Sequence, residues 1–236
     1  MTTTRAHDPA ALARLLRTQW LRLRDWIDVN ALATSDEPSI LPGWTVADLV
    51  AHLGLAVGAL THARPAPPGT VPITLAAYVS GYPGSAEDIA ENTRDVARRT
   101  RDAALVAVER DVEAALARFD ALHRDEGDPV VQARRGPLRL STLVLTRLLE
   151  HVVHGDDLAR SVTTAGTGPL EPDAVAVVAS ALRDALVDRG GPQVEVLDDV
   201  GWIRLACGRV PAEPAAVDAA VRTSDPTAAR AHLPLL

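Results

Sequence analysis

Apolar residues recur at helical spacing through most of this chain. Leu12, Leu15, Leu16, Trp20, Leu23 and Ile27 mark one face of a first helix, opened by the capping aspartate and first-turn proline of Asp8-Pro9. Thr45-Val-Ala-Asp48 reads as a capping box, with aspartate in place of the commoner glutamate. The helix that follows runs to about residue 63 with Leu49, Leu53, Val57 and Leu60 on its stripe, and His52 points inward or along the stripe's edge. Residues 64–84 are rich in proline and glycine and predict a long connection with one short helix near 75–80. Ser85-Ala-Glu-Asp88 caps a third, highly charged helix reaching about residue 123. A connection over 127–136 leads to a fourth helix at about 141–164. Four long amphipathic helices predict an antiparallel bundle over residues 1–165, with sites built from facing side chains. The segment 165–169 reads as a linker. Beyond it, a helix at about 173–188 precedes residues 194–206, which alternate like a hairpin of two short strands. Residues 217–222 suggest a third strand, and Asp225-Pro226 opens a last helix. The expectation is a mainly α protein, with a small α+β domain over 170–236 behind the bundle.

Chemistry concentrates in the fourth helix, at Leu148-Leu-Glu150-His151-Val-Val-His154. Glu150 and His154 are four residues apart and share a helix face. An unpaired carboxylate buried there is costly, and a divalent metal removes that cost if a third ligand arrives. His52 on the second helix is the candidate third ligand. Two imidazoles and a carboxylate suit zinc with one position left open, and also resemble a ferrous facial triad. Asp157, one turn after His154, is placed to hold a ligating imidazole in its tautomer, or else, like Asp156, is a solvated helix carboxylate. Arg147 lies on the same stripe, either to bind an anionic substrate or to pair with Glu150. The plainer alternatives are a core histidine at 52 bonded to a carbonyl, and a surface pair of Arg147 with Glu150. His151, ~100° round the helix from Glu150, is taken as a bystander, with a His151–His154 pair as its alternative. Cys207 falls on an expected strand and reads as a small core residue. No phosphate loop, Gly-x-Ser-x-Gly or dinucleotide fingerprint occurs.

Composition narrows the setting. The chain's 236 residues suffice for a real core, and no apolar run is long enough to read as a transmembrane helix. The first residues lack the apolar stretch of a secretion signal, and one cysteine permits no internal disulfide, so a cytoplasmic location is expected. A net charge of −7 without a basic run argues against nucleic acid or an anionic membrane as partner. All 24 basic residues are arginine, a usage that suggests a GC-rich genome such as an actinobacterium's.

Two stretches resemble a known family. Leu41-Pro-Gly-Trp-Thr-Val-Ala-Asp-Leu-Val-Ala-His52-Leu is similar to the signature of the mycothiol-dependent maleylpyruvate isomerase family, within the DinB-like superfamily. Arg147-Leu-Leu-Glu-His-Val-Val-His154-Gly-Asp-Asp157 resembles its second signature, Arg-x-x-Glu-x-x-x-His-x-x-Asp. Trp202-Ile-Arg-Leu-Ala-Cys-Gly208 is a looser match to its C-terminal domain. The resemblance implies a DinB-like four-helix bundle holding a divalent metal, usually zinc, on His52, Glu150 and His154. It also implies mycothiol as thiol cosubstrate and an isomerase or S-transferase activity on a small electrophile. An arginine of the C-terminal domain would assist the substrate; Arg222 is the candidate by position, with Arg204 and Arg209 as competitors. The alternatives are a hydrolase or lyase using metal-bound water without a thiol, and a non-catalytic DinB-like binding protein.

Overall fold

The computed structural model describes residues 8–81, 86–163 and 167–236. Its framework is a bundle of α1 (Pro9–Asn30), α2 (Val46–Gly58), α5 (Ala104–Glu126) and α6 (Leu140–Ser161), with α3 (Leu75–Val79) and α4 (Ala86–Thr100) between α2 and α5. The expected caps form: Asp8 accepts from the backbone of Ala10 and Ala11, and Thr45 and Asp48 close a reciprocal capping box. Helix α2 packs against α4, α5 and α6, which is why it is buried on almost every side, His52 included. Helix α1 packs along α6 and α5, filling the centre with Leu16, Trp20, Leu23 and Ile27.

The single third helix expected over 85–123 is a bent pair instead. A 3-10 turn at Arg101–Ala103 separates α4 from α5. The Thr100 hydroxyl donates back to the Val96 carbonyl, a bond that helps bend helices, and Arg98 and Arg99 suit the carbonyl-rich end of α4. The break lets α4 fold across α2. Ser85, the expected cap, lies outside the described residues, as does part of the expected linker.

The connection read over 127–136 carries a hairpin. Strands β2 (Val130–Ala133) and β3 (Gly136–Arg139) pair antiparallel, and β1 (Arg64–Pro65) joins β2. Runs this short leave little alternation to read. Just before β2, the Asp128 carboxylate accepts from the Ser141 backbone and hydroxyl, capping the start of α6.

The C-terminal part also differs from expectation. Residues 199–206 form a helix, not the second strand of a hairpin. Helix α7 (Pro172–Asp188) leads to a two-residue strand β4 (Glu195–Val196), then α8 (Asp199–Ala206), α9 (Pro214–Ala220), strand β5 (Val221–Arg222) and α10 (Pro226–Ala231). In α8 the buried residues are Trp202, Ile203, Leu205 and Ala206, a helical face rather than an alternation. The supposed strand at 217–222 is mostly α9, begun by Pro214 at its first position. Cys207 therefore follows a helix and is buried. Buried Gln19 on α1 ties this part to the bundle, donating to the Pro169 carbonyl and accepting from the Glu171 backbone. Among the described residues, no helix is long and apolar enough to cross a membrane.

Gly155 sets how closely α6 approaches its neighbours. A Cβ there would lie 2.9 Å from Leu170 Cδ2 and 3.1 Å from Leu23 Cδ2. Gly155→Val is expected to cost about 1–3 kcal/mol in urea unfolding through overpacking. Gly155→Ala should cost less, because alanine regains ~1 kcal/mol of helix propensity. Equal stability of wild type and the valine variant would contradict this packing.

Candidate metal centre

Helices α2 and α6 face each other where His52 meets Glu150 and His154. Glu150 Oε2 lies 3.5 Å from His52 Nε2 and 3.3 Å from His154 Nε2. Donor atoms of the three residues lie within 4.8 Å of one another, and all three side chains are almost fully buried. The far nitrogens are engaged: His154 Nδ1 donates to Asp157 Oδ2 at 3.0 Å, and His52 Nδ1 lies 3.4 Å from the Thr93 hydroxyl on α4. Each imidazole thus turns Nε2 toward Glu150. Two imidazole nitrogens and a carboxylate, converging and held from behind, fit a divalent cation such as zinc.

The electrostatics show how the buried charges are supported. Burial works against the Glu150 charge, but bonds to His154 and His52 and the nearby Arg147 guanidinium hold its carboxyl well below the usual range. His52 is shifted down, by burial and then by the like charge of His154. Burial also works against protonated His154, but Asp157 and Glu150 outweigh it and raise its pKa. Asp157 is wholly buried, yet His154 and Arg209 keep its carboxyl below the ordinary value.

Trp44 covers the imidazoles, edge-on to His52 at 5.2 Å between centroids and stacked on His154 at 6.5 Å. The centre opens into a cleft of about 1440 Å³. Its lining carries five arginines, Arg64, Arg134, Arg135, Arg147 and Arg209, against the carboxylates of Asp88, Asp111 and Glu150. That balance opposes the chain's net charge of −7.

Of the residues singled out from sequence, His52, Glu150, His154, Asp157 and Arg147 come together here. Arg147 is buried, donates to the Ala56 carbonyl and lines the cleft. Arg222 does not join them: it sits exposed on β5, paired with Glu195, and is absent from the cleft lining. The C-terminal arginine that reaches the centre is Arg209, bonded to Asp157. Thr93 had no local signal, because a turn inside the expected third helix brings it in, whereas Arg209 was one of the two competitors to Arg222. His151 points away from the metal donors, its Nε2 3.3 Å from the Leu53 carbonyl and its ring beside Trp20. Cys207 lines the cleft, but burial pushes its thiol up to about 12.

Residues 14–159 match the family model for the mycothiol maleylpyruvate isomerase N-terminal domain. Sequence comparison with curated proteins gives no match. Two solved structures are similar over 95% of this chain and 96% of theirs, each with a TM-score of 0.62. One is the crystal structure of the mycothiol-dependent maleylpyruvate isomerase, at 20% identity. The other is a histidine-to-alanine mutant of a mycothiol-dependent maleylpyruvate isomerase, at 19% identity. At these identities the likeness shows a shared fold.

His151 gives the fold a pH dependence. Burial lowers its pKa from 6.5 to about 4, so the unfolded chain binds more protons than the folded one between those values. The contribution of this residue is full above pH 6.5 and falls as the pH drops toward 4, by roughly 3 kcal/mol. In His151→Gln, which keeps a donor toward Leu53 but does not titrate, urea unfolding of metal-stripped protein should show a shallower loss over this range. An unchanged slope would contradict the assignment.

Proposed function

Because the chain belongs to the mycothiol maleylpyruvate isomerase N-terminal domain family, we propose that it is a mycothiol-dependent metalloenzyme, an isomerase or S-transferase acting on a small anionic electrophile. The observation that carries this reading is the convergence of His52, Glu150 and His154 at an arginine-lined cleft. These three would hold a divalent ion, zinc suiting the donor set best; when bound, it supplies a Lewis acid that lowers the pKa of a thiol in its open position.

The remaining work falls to the protein's own groups. Asp157 holds His154 with Nδ1 protonated, leaving Nε2 for the centre. Trp44, Leu41 and Pro42 wall the cleft and limit water around the reacting carbon. Arginines of the lining hold the substrate's carboxylates, for which their forked donors are suited, and stabilise the negative charge that develops as a thiolate adds to a conjugated carbon. In an isomerase these arginines keep their hold while the substrate rotates about the saturated bond and the thiolate leaves. In a transferase the anion formed by addition takes up a proton, matching the one the thiol gave up, and the arginines release a product that retains the carbon–sulfur bond.

The test is an assay of maleylpyruvate and a panel of activated alkenes and epoxides, with and without mycothiol, on metal-stripped and zinc-reloaded enzyme. Turnover should require both additions and fall about 100-fold or more in His52→Ala. An isomerase leaves the thiol concentration unchanged, whereas a transferase consumes one thiol per turnover. Turnover independent of thiol, or unaffected by His52→Ala, would overturn the reading.

A further inference from the structure

Two adjacent carboxylates of α6, Asp156 and Asp157, are each clamped by an arginine at or just beyond α8. Arg204 grips Asp156 through Nε to Oδ2 at 2.8 Å and Nη2 to Oδ1 at 2.7 Å. Arg209 grips Asp157 through Nε to Oδ1 at 3.0 Å and Nη2 to Oδ2 at 3.0 Å, while its Nη1 donates to the Cys207 carbonyl at 3.0 Å. The two clamps look alike but face different neighbours. Asp156 pairs otherwise with Arg160, at 3.9 Å on its own helix. Asp157 instead accepts from His154, so its second clamp leads into the centre.

A carboxylate with both oxygens held cannot rotate, and here its fixed plane aims Oδ2 at His154 Nδ1. The guanidinium is itself fixed. Arg209 follows Gly208, whose φ of +66° lets the chain turn back after α8, and its backbone donates to the Arg204 carbonyl at 2.7 Å. A residue with a side chain at 208 would be strained there and would meet Pro234 at 3.3 Å. The position of the Arg209 fork is thus set by the folding of the C-terminal segment.

We propose that Arg209 is a positioning residue: through Asp157 it fixes the ring of His154, and so strengthens the centre's hold on its cation. The proposal rests on the metal centre described above. Arg204 supplies a built-in comparison, since it docks the same segment without touching the partner of His154.

The experiment uses full-length, metal-stripped wild type, Arg209→Met, Arg209→Lys and Arg204→Met. Zinc affinity is measured by competition with a chromophoric chelator, and thermal unfolding is followed without metal. Arg209→Met should bind zinc 10–100-fold more weakly. Arg209→Lys, which keeps the charge but loses the fork, should fall between it and wild type. Arg204→Met should lose thermal stability but bind zinc within twofold of wild type. A second readout needs no metal: ¹⁵N shifts of the His154 ring at pH 8.5 should show protonated Nδ1 in wild type and Arg204→Met, and an altered pattern in Arg209→Met. Wild-type affinity in Arg209→Met, or equal losses in both methionine variants, would overturn the proposal. If wild type binds no zinc, the metal reading fails, and the ring shifts alone decide the role of Arg209.

Discussion

The interior of this bundle holds the charges of Glu150 and Asp157, and much of the structure answers to that burden. A carboxylate taken out of water is costly unless partners replace its hydration. Glu150 finds two imidazoles and Arg147; Asp157 finds His154 and Arg209. Those partners come from α2, from α6 itself and from the turn after α8. Keeping the two charges buried therefore requires the helices and the C-terminal segment to be docked together. The same constraint explains the burial of α2 and the fold of α4 across it, which brings Thr93 behind His52.

Such a site has a chemical use. Three donors are collected around one point, and the far nitrogens of the two imidazoles are engaged from behind. The cleft beyond them is rich in arginine in an acidic chain, so an anionic small molecule meets locally favourable charge. Membership of the mycothiol maleylpyruvate isomerase N-terminal domain family accounts for residues 14–159, and the likeness to two solved isomerase structures extends the shared fold over 95% of the chain.

What could be read from the sequence was what local chemistry encodes. Asp8-Pro9 and Thr45–Asp48 announce helix starts because the capping groups lie within four residues of one another. The spacing of Glu150 and His154 on α6 was visible for the same reason; His52, on the stripe of the second helix, was the candidate third donor, and the resemblance of Trp44–His52 to a family signature implies the same residue. What escaped depends on contacts distant in sequence. The bend at Thr100 hides in a continuous helical pattern, and with it goes Thr93. Strands of two to four residues carry too little alternation to be seen. Trp202–Ala206 is apolar enough to pass as a strand, and its packing against α7 is that of a helix. No local motif separates Arg209 from Arg204 and Arg222, and only the fold shows which of them reaches Asp157.

The central claim is that a cation on His52, Glu150 and His154 takes up an external thiol. X-ray absorption at the zinc edge of reloaded protein, before and after addition of mycothiol, tests it most directly. The account predicts a shell of nitrogen and oxygen alone at ~2.0–2.2 Å, joined on thiol addition by one sulfur at ~2.3 Å. An unchanged shell after thiol addition would contradict it, as would a sulfur already present beforehand, which would make Cys207 the ligand.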